Sequence, residues 1–135
     1  RSVYIFSKRS LAVPELALLD APNSTDSCSQ RAVSTTGPQA LTFLNGHFMN
    51  SGASGLAGRL LLEAGAEADD QIELAFQLVL CRTPSSEERD LSKEFLRAQA
   101  SLPTGDSRAV DDSARRSLEA FCLVLLNTNE FAYTR

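Results

Sequence analysis

The sequence predicts an all-α fold, a small four-helix bundle preceded by a long, ordered, irregular segment. Apolar residues recur at helical spacing in four stretches, which lie near residues 37–63, 70–81, 86–100 and 111–130. Two of these stretches begin with a capping-box pattern. Their connections are short, as in a bundle whose consecutive helices pack side by side. The β-branched and aromatic residues 3–6 predict either a short strand or the end of a helix.

Length and composition limit the classes of function. The 135 residues, of which 43% are hydrophobic and 22% charged, suit one globular domain. A net charge of −4 argues against general nucleic-acid binding, which needs a basic face. No apolar run approaches the roughly 20 residues that span a bilayer. Because the chain starts at Arg1 and not at Met, we expect a piece of a longer protein, with one domain made of an opening segment and loop (1–35) and a bundle (36–135).

The first long helix has a clear predicted start and an unusual middle. Thr36 and Gln39 form a T-x-x-Q capping box, with Pro38 in the first turn. The stretch 52–58 contains three glycines, each of which costs a helix roughly 1 kcal/mol relative to alanine. We therefore expect either that another backbone packs closely there or that the helix breaks near residue 51. Gly65 is predicted to follow the helix end.

The remaining helices follow from acids, caps and apolar stripes. Asp69 or Asp70 precedes the second helix, and Ser85 with Glu88 forms a second capping box at the start of the third. A connection of about four residues joins these two helices into an αα-hairpin. The fourth helix is apolar almost all round and is predicted to be central. The predicted core comprises Leu44, Phe48, Phe76, Val79, Phe95, Phe121, Leu125 and Phe131.

The residue types that carry catalysis or bind metals are sparse. The three cysteines contain no C-x-x-C pair, which argues against a closed zinc site. Cys81 and Cys122 both lie in apolar helical runs, which leaves two readings, buried thiols or a disulfide between them. The single histidine, His47, has no nucleophile motif beside it and is interpreted as a partly exposed helical residue. The sequence therefore discloses no reaction, and we predict no metal site and no cofactor in this segment.

The segment from residue 16 to residue 45 is the most unusual part of the chain. It places acids, hydroxyls and a guanidinium directly before a helix N-terminus, where anions can bind. The alternative is structural: Arg31 pairs with Asp20 or Asp26, and the hydroxyls satisfy backbone groups. As its one strong cation, Arg31 is expected to hold the segment through its five fixed donors. The candidate ligand or partner site consists of Asp20, Asn23, Asp26, Cys28, Arg31, Gln39 and Asn45.

Six segments together resemble the PSD1 or DUF1553 domain, which is found near the C-terminus of large, chiefly planctomycete proteins. They are residues 1–9, 16–22, 27–31, 34–41 with 44–45, 70–88 and 125–133. The fifth contains the family's Arg-x-Pro-x-x-x-Glu pattern and the last its Asn-x-Asn-Glu-Phe pattern. Two departures stand out: Cys81 occupies a position where the family usually has glycine, and the glycines of 52–58 replace a helix richer in alanine.

The resemblance implies a setting but no established activity. Family members are extracytoplasmic, and the domain follows a DUF1549 domain, often with a cytochrome-c-like haem domain and sometimes with carbohydrate-binding modules. The leading interpretation is a non-catalytic structural or interaction module that docks on the DUF1549-like part of its own polypeptide. One alternative is that residues 20–45 contribute to an active or glycan-binding site shared with that part. A weaker alternative is a surface that contacts the haem domain.

Overall fold

A computed structural model describes residues 13–22, 27–30, 34, 36–102 and 110–132, and within them it contains helices and no strand. The predicted all-α class is confirmed, but the described residues form seven helices, five of them substantial, where four were predicted. The strand or helix end predicted at residues 3–6 lies outside these residues. The helices are α1 (Pro14–Leu18), α2 (Gly37–Asn45), α3 (His47–Glu63), α4 (Ala68–Leu80), α5 (Ser86–Ala100), α6 (Val110–Leu126) and α7 (Asn129–Ala132). The chain divides into two compact units, Arg1–Phe43 and Leu44–Arg135.

The first predicted long helix is two helices, because the chain breaks at Gly46. Gly46 has an extended backbone with φ −65° and ψ 137° and is the N-cap of α3. The Asn50 side chain replaces the lost helical bonds by donating from Nδ2 to the carbonyl oxygens of Leu44 (3.3 Å) and Gly46 (3.0 Å). Asn45-Gly46 is a dipeptide typical of turns, so the sequence signal for this break was present.

The glycine-rich stretch behaves differently from both expectations. Helix α3 continues through Gly52, Gly55 and Gly58 without a break. A Cβ atom added at any of the three would meet nothing within 4 Å, so no backbone among the described residues packs closely against them. The expected break near residue 51 is wrong, and the described part of the chain does not supply the expected close contact. The helix ends as predicted, with Gly65 in the left-handed region at φ 71°.

The α4–α5 hairpin was well predicted. Helix α4 begins at Ala68, about two residues before the expected start, so that Asp69 and Asp70 lie inside its first turn at the positive end of the helix dipole. Helix α5 has the predicted bounds, and its capping box is complete: Ser85 Oγ accepts from the Glu88 N–H, and Glu88 accepts from the Ser85 N–H. Helix α4 ends at Leu80, and its C-cap Cys81 adopts the left-handed conformation with φ 56°.

The core of the Leu44–Arg135 unit lies between α3, α4 and α6, with α5 packed against α6 and α4. Small residues on α3 allow α6 to approach closely. The buried side chains of this core are Ala53, Ala57, Leu60, Ile72, Ala75, Phe76, Leu118, Phe121, Cys122 and Leu125. The predicted position of α6 as the central helix is consistent with this set, to which α6 contributes four side chains.

Three predicted core residues are exposed. Phe76, Phe121 and Leu125 are buried, and Val79 and Phe95 are partly buried against the core. The exposed three are Leu44 (48% exposed), Phe48 (81%) and Phe131 (40%). The prediction for Leu44 and Phe48 was wrong because it assumed one continuous helix. Phe48 precedes Ala53 by five residues and lies about 140° around α3 from the buried face. Phe131 belongs to the separate short helix α7, which begins after a turn at residues 127–128.

The cysteines show that a position in an apolar helical run does not determine whether a side chain is buried. All three thiols are free, so the disulfide reading is wrong. Cys122 is fully buried, and burial raises the pKa of its thiol to about 12. Cys81 is exposed because it forms the C-cap of α4, and the buried-thiol reading therefore holds for Cys122 alone.

Candidate functional site

Within the Arg1–Phe43 unit, one buried glutamine ties four other residues together, and we call this group the Gln39 cluster. The Gln39 amide nitrogen donates to the Leu18 carbonyl oxygen (2.8 Å), to Ser34 Oγ (3.0 Å) and to Asp20 Oδ2 (3.2 Å). Its Oε1 accepts from the Thr36 N–H at 2.9 Å, which supplies the glutamine half of the predicted capping box. Gln39 is 3% exposed, and both ends of its side-chain amide form hydrogen bonds within the chain.

Asp20 is the anion of this cluster. Its Oδ2 accepts from the backbone N–H of Ser34 (2.7 Å) and from Ser34 Oγ (2.6 Å). Asp20 follows α1 in the left-handed conformation at φ 58°, which aspartate tolerates better than most residues. The next residue, Ala21, donates its N–H back to the Leu16 carbonyl oxygen at 2.9 Å. Asp20 therefore both ends α1 and fixes the chain fourteen residues later.

The structure brings together Asp20 and Gln39 of the predicted site. Cys28 is exposed and its Sγ lies 3.2 Å from the Gln30 carbonyl oxygen, and Asn45 is exposed at the end of α2. Asn23, Asp26 and Arg31 lie outside the described residues, as does the predicted role of Arg31 in holding the segment. The ligand or partner site made of these residues stays a prediction.

A second polar group, the Arg82 cluster, consists of Phe76, Arg82, Ser85, Glu88 and Glu130. The Arg82 guanidinium donates to both carboxylate oxygens of Glu88, from Nη2 to Oε1 (2.6 Å) and from Nη1 to Oε2 (2.8 Å). It also donates to both oxygens of Glu130, from Nε (2.8 Å) and Nη2 (2.9 Å). Its central carbon lies 5.4 Å from the ring centroid of Phe76. This doubly bidentate geometry is the strong form of a surface ion pair.

The cluster shifts the acid–base equilibria of its members. The Arg82 hydrogen bonds, followed by the bond from the Ser85 backbone, lower the pKa of Glu88 from its ordinary value to about 2. The Arg82 hydrogen bonds likewise lower the pKa of Glu130. Glu88 and Glu130 together raise the pKa of Arg82. All three side chains therefore remain charged at neutral pH, which suits structural ion pairing.

Sequence reasoning did not single out Arg82 and Glu130, although a signal for them was present. Arg82 and Glu88 are the charged residues of the Arg-x-Pro-x-x-x-Glu pattern, and Glu130 belongs to the Asn-x-Asn-Glu-Phe pattern. The residues are 48 positions apart, and no spacing rule connects the two patterns. Their meeting in space was visible only in the structure.

The outward side of α3 carries a third feature, which we call the α3 outer face and define as Phe48, Gly52, Gly55, Gly58 and Leu62. Phe48 and Leu62 are 81% and 88% exposed. The glycines between them leave the helix backbone uncovered, because no neighbouring atom occupies the space of their missing Cβ atoms. The face is thus apolar at both ends and shallow in the middle.

Within the described residues, no group of three or more histidine, cysteine, aspartate or glutamate residues is arranged to hold a metal ion. Across the same residues, no helix combines the length and the apolar character that crossing a bilayer requires.

Comparison with known proteins connects this arrangement to one family. Neither a curated protein nor a solved structure matches the chain. The family model PSD1, described as a protein of unknown function (DUF1553), matches residues 1–96. This range includes the Gln39 cluster, the α3 outer face and Arg82 with Glu88, whereas Glu130 and the whole of α6 follow it. With most of its length matched, the chain belongs to the PSD1 (DUF1553) family.

Proposed function

We propose that the chain is a non-catalytic interaction module that docks on another part of its own longer polypeptide, expected to be DUF1549-like, through the α3 outer face. The observation that carries the proposal is the exposure of Phe48 and Leu62 on one side of a well-formed helix. Exposed apolar side chains that share one face of a helix can anchor an interaction surface. The polar clusters support a structural role, since their charged groups are used in bonds within the chain.

The glycines add a second line of support. Each glycine in a helix interior destabilises it by roughly 0.5–1 kcal/mol relative to alanine. Among the described residues, no contact compensates for Gly52, Gly55 or Gly58. Glycine in such a place allows a second backbone to approach the helix closely. We infer that the docked partner packs across this part of α3.

The experiment measures binding of the 135-residue chain to the separately expressed remainder of its polypeptide by isothermal titration calorimetry. The substitutions Phe48→Ser and Leu62→Ser together should raise the dissociation constant at least about tenfold, because they remove two apolar anchors. The matched control is Leu91→Ser on α5, where a leucine that is 65% exposed lies outside the face. The control should bind like the wild type.

A glycine variant separates docking from folding. Gly55→Ala should raise the stability of the isolated chain by up to about 1 kcal/mol, because the added methyl group meets nothing. The same variant should weaken docking if a partner backbone lies against Gly55. Equal binding by wild type, the serine double variant and the alanine variant would rule out the α3 outer face.

The alternative function, an active or glycan-binding site to which residues 20–45 contribute, has one supporting observation. Asp20 is held in a left-handed backbone conformation, of the kind that often occurs at functional sites. The internal bonds of Gln39 favour the structural reading instead. Binding of a panel of oligosaccharides to the full polypeptide, lost in Asp20→Asn, would favour the alternative.

Two further parts of the proposal rest on the family resemblance. One is an extracytoplasmic location, and the other, weaker, is a surface that contacts a cytochrome-c-like haem domain. Fractionation of cells that express the full polypeptide tests the location. Chemical shift changes on titration with the haem domain test the contact.

A further inference from the structure

The Arg82 cluster joins two structural elements, the first turn of α5 and the short helix α7. On one side, Glu88 is the third residue of α5 and completes its capping box: Glu88 Oε2 accepts from the Ser85 N–H at 2.8 Å. On the other side, Glu130 lies in the first turn of α7. The same Glu88 Oε2 that serves the cap also accepts from Arg82 Nη1 at 2.8 Å. One guanidinium therefore connects the start of α5 to the short helix near residue 130.

Helix α7 depends on outside contacts for its stability. It has four residues, far fewer than the 12–15 that an isolated helix needs in water. Its backbone bonds run from the N–H groups of Phe131 (3.1 Å) and Ala132 (2.9 Å) to the Thr128 carbonyl oxygen. These two amides report directly on whether α7 is formed, and Glu130 lies between Thr128 and both of them in the chain.

We propose that Arg82 is a coupling device through which the capping box of α5 controls the attachment of α7. The backbone N–H of Ser85 holds the Glu88 carboxylate, Glu88 fixes the plane of the Arg82 guanidinium, and that plane fixes where Glu130 binds. The guanidinium presents its donors in a rigid fork, so a rotation imposed at one carboxylate misaligns the bonds to the other. The contact of Arg82 with the Phe76 ring, which is 4% exposed, anchors the fork on the apolar core. How firmly α7 is held against the rest of the unit therefore depends on the loop between α4 and α5, which contains Arg82 and Ser85.

The test is amide hydrogen exchange by NMR on Phe131 and Ala132 of the full 135-residue chain. Glu130→Gln should speed exchange at both amides about 5- to 10-fold, because it removes the charge that Arg82 holds. Ser85→Ala removes the hydroxyl that accepts from the Glu88 N–H, which loosens the first turn of α5 and the Glu88 carboxylate with it. It should therefore speed the same two amides about 3- to 5-fold, although Ser85 is remote from them in sequence. Arg82→Lys should match Glu130→Gln, because an ammonium group cannot bind two carboxylates in a fixed plane.

The double variant decides whether the effects are coupled. In a Glu130→Gln background, Ser85→Ala should add less than about 1.5-fold to exchange at Phe131 and Ala132, because the path through Arg82 is already cut. Glu63→Gln, which breaks the exposed Arg59–Glu63 pair at 2.7 Å, is the matched control and should leave both amides unchanged. Unchanged exchange in Ser85→Ala, or effects of Ser85→Ala and Glu130→Gln that multiply fully, would overturn the proposal.

Discussion

Two helices of this chain begin with the same type of sequence box, Thr36 with Gln39 and Ser85 with Glu88, yet the two boxes carry different second functions. In both, the side chain of the third helical residue accepts from the N-cap N–H. Gln39 is neutral and buried, and its amide nitrogen also holds the preceding segment through Leu18 and Asp20. Glu88 is charged and half-buried, and its carboxylate holds Arg82.

The difference follows from the chemistry of the two side chains. An amide both donates and accepts, so it can serve as a buried junction among carbonyl, hydroxyl and carboxylate oxygens without carrying a charge into the interior. A carboxylate only accepts and is expensive to bury alone, so it functions near the surface and needs a cation. The same box thus organises a buried junction in one unit and an exposed ion cluster in the other.

The largest expected loss of unfolding free energy comes from the apolar core, and the losses expected at the two capping boxes can be compared with it. Phe121→Ala should destabilise the Leu44–Arg135 unit by about 3–5 kcal/mol, because a ring that is 4% exposed is deleted from the contacts between α6 and its neighbours. Urea denaturation at unchanged m-value measures the loss. A loss below about 1 kcal/mol would contradict the central position of α6, and Val124→Ala, at a position 47% exposed, is the control.

Gln39→Leu should loosen the Arg1–Phe43 unit by about 2–3 kcal/mol. The leucine keeps the volume but removes the amide that donates to the half-buried Ser34 hydroxyl and to the Leu18 carbonyl oxygen. Hydrogen exchange at the Ser34 and Ala21 amides should speed up roughly 30- to 150-fold. Gln77→Leu on the exposed side of α4 is the matched control. Unchanged exchange at Ser34 would mean that the glutamine junction is dispensable.

Glu88→Gln should lower the unfolding free energy by roughly 1 kcal/mol at pH 7, because the amide keeps a bond to Ser85 but loses the charge that pairs with Arg82. The folded pKa of Glu88, about 2, lies below its ordinary value of 4.5. The folded state therefore binds fewer protons, and the stabilisation is present above pH 4.5 and is lost as the pH falls toward 2. The difference between wild type and variant should shrink over this window in denaturation curves. A constant difference would contradict the role of the charge.

The smallest expected effect concerns Cys81. A left-handed residue at a helix end favours glycine, since a Cβ atom strains the conformation. Cys81→Gly should stabilise the chain by roughly 0.5–1 kcal/mol, and Cys81→Ala, which keeps the Cβ atom and removes the thiol, should change it by only a few tenths. Thermal denaturation compares the two. Equal stability of both variants would show that the backbone strain is negligible.

The local signals in the sequence were accurate where neighbours along the chain decide the outcome. The complete Ser85–Glu88 box, the bounds of α5 and the left-handed Gly65 follow from hydrogen bonds and steric limits within a few residues. The break at Gly46 was also local, and the Asn45-Gly46 dipeptide indicated it. The prediction failed there because helical apolar spacing on both sides of the break suggested one helix.

The candidate site was less predictable because it depends on contacts between distant residues. Asp20 and Gln39 were both chosen from the sequence, but that the neutral amide of Gln39 bonds to both Leu18 and Asp20 was visible only in the structure. The expected role of Arg31 lies outside the described residues and stays a prediction. A buried junction favours the group with the lower desolvation penalty, and a list of charges does not show this.

By itself, the sequence determined that this chain is all-α, where most of its helices begin and end, and which family it belongs to. These properties depend on apolar periodicity, capping residues and sequence motifs, and each of these can be recognised within a short stretch of sequence. Only the tertiary structure decided that Phe48 is exposed, that Cys81 is a left-handed cap, and that Arg82 meets Glu130 across 48 residues. Burial and ion pairing depend on how the helices pack together, because a small rotation of a helix about its axis changes which of its faces is covered. The preferred packing is set by the free energy of the whole fold and cannot be derived from any short stretch of sequence.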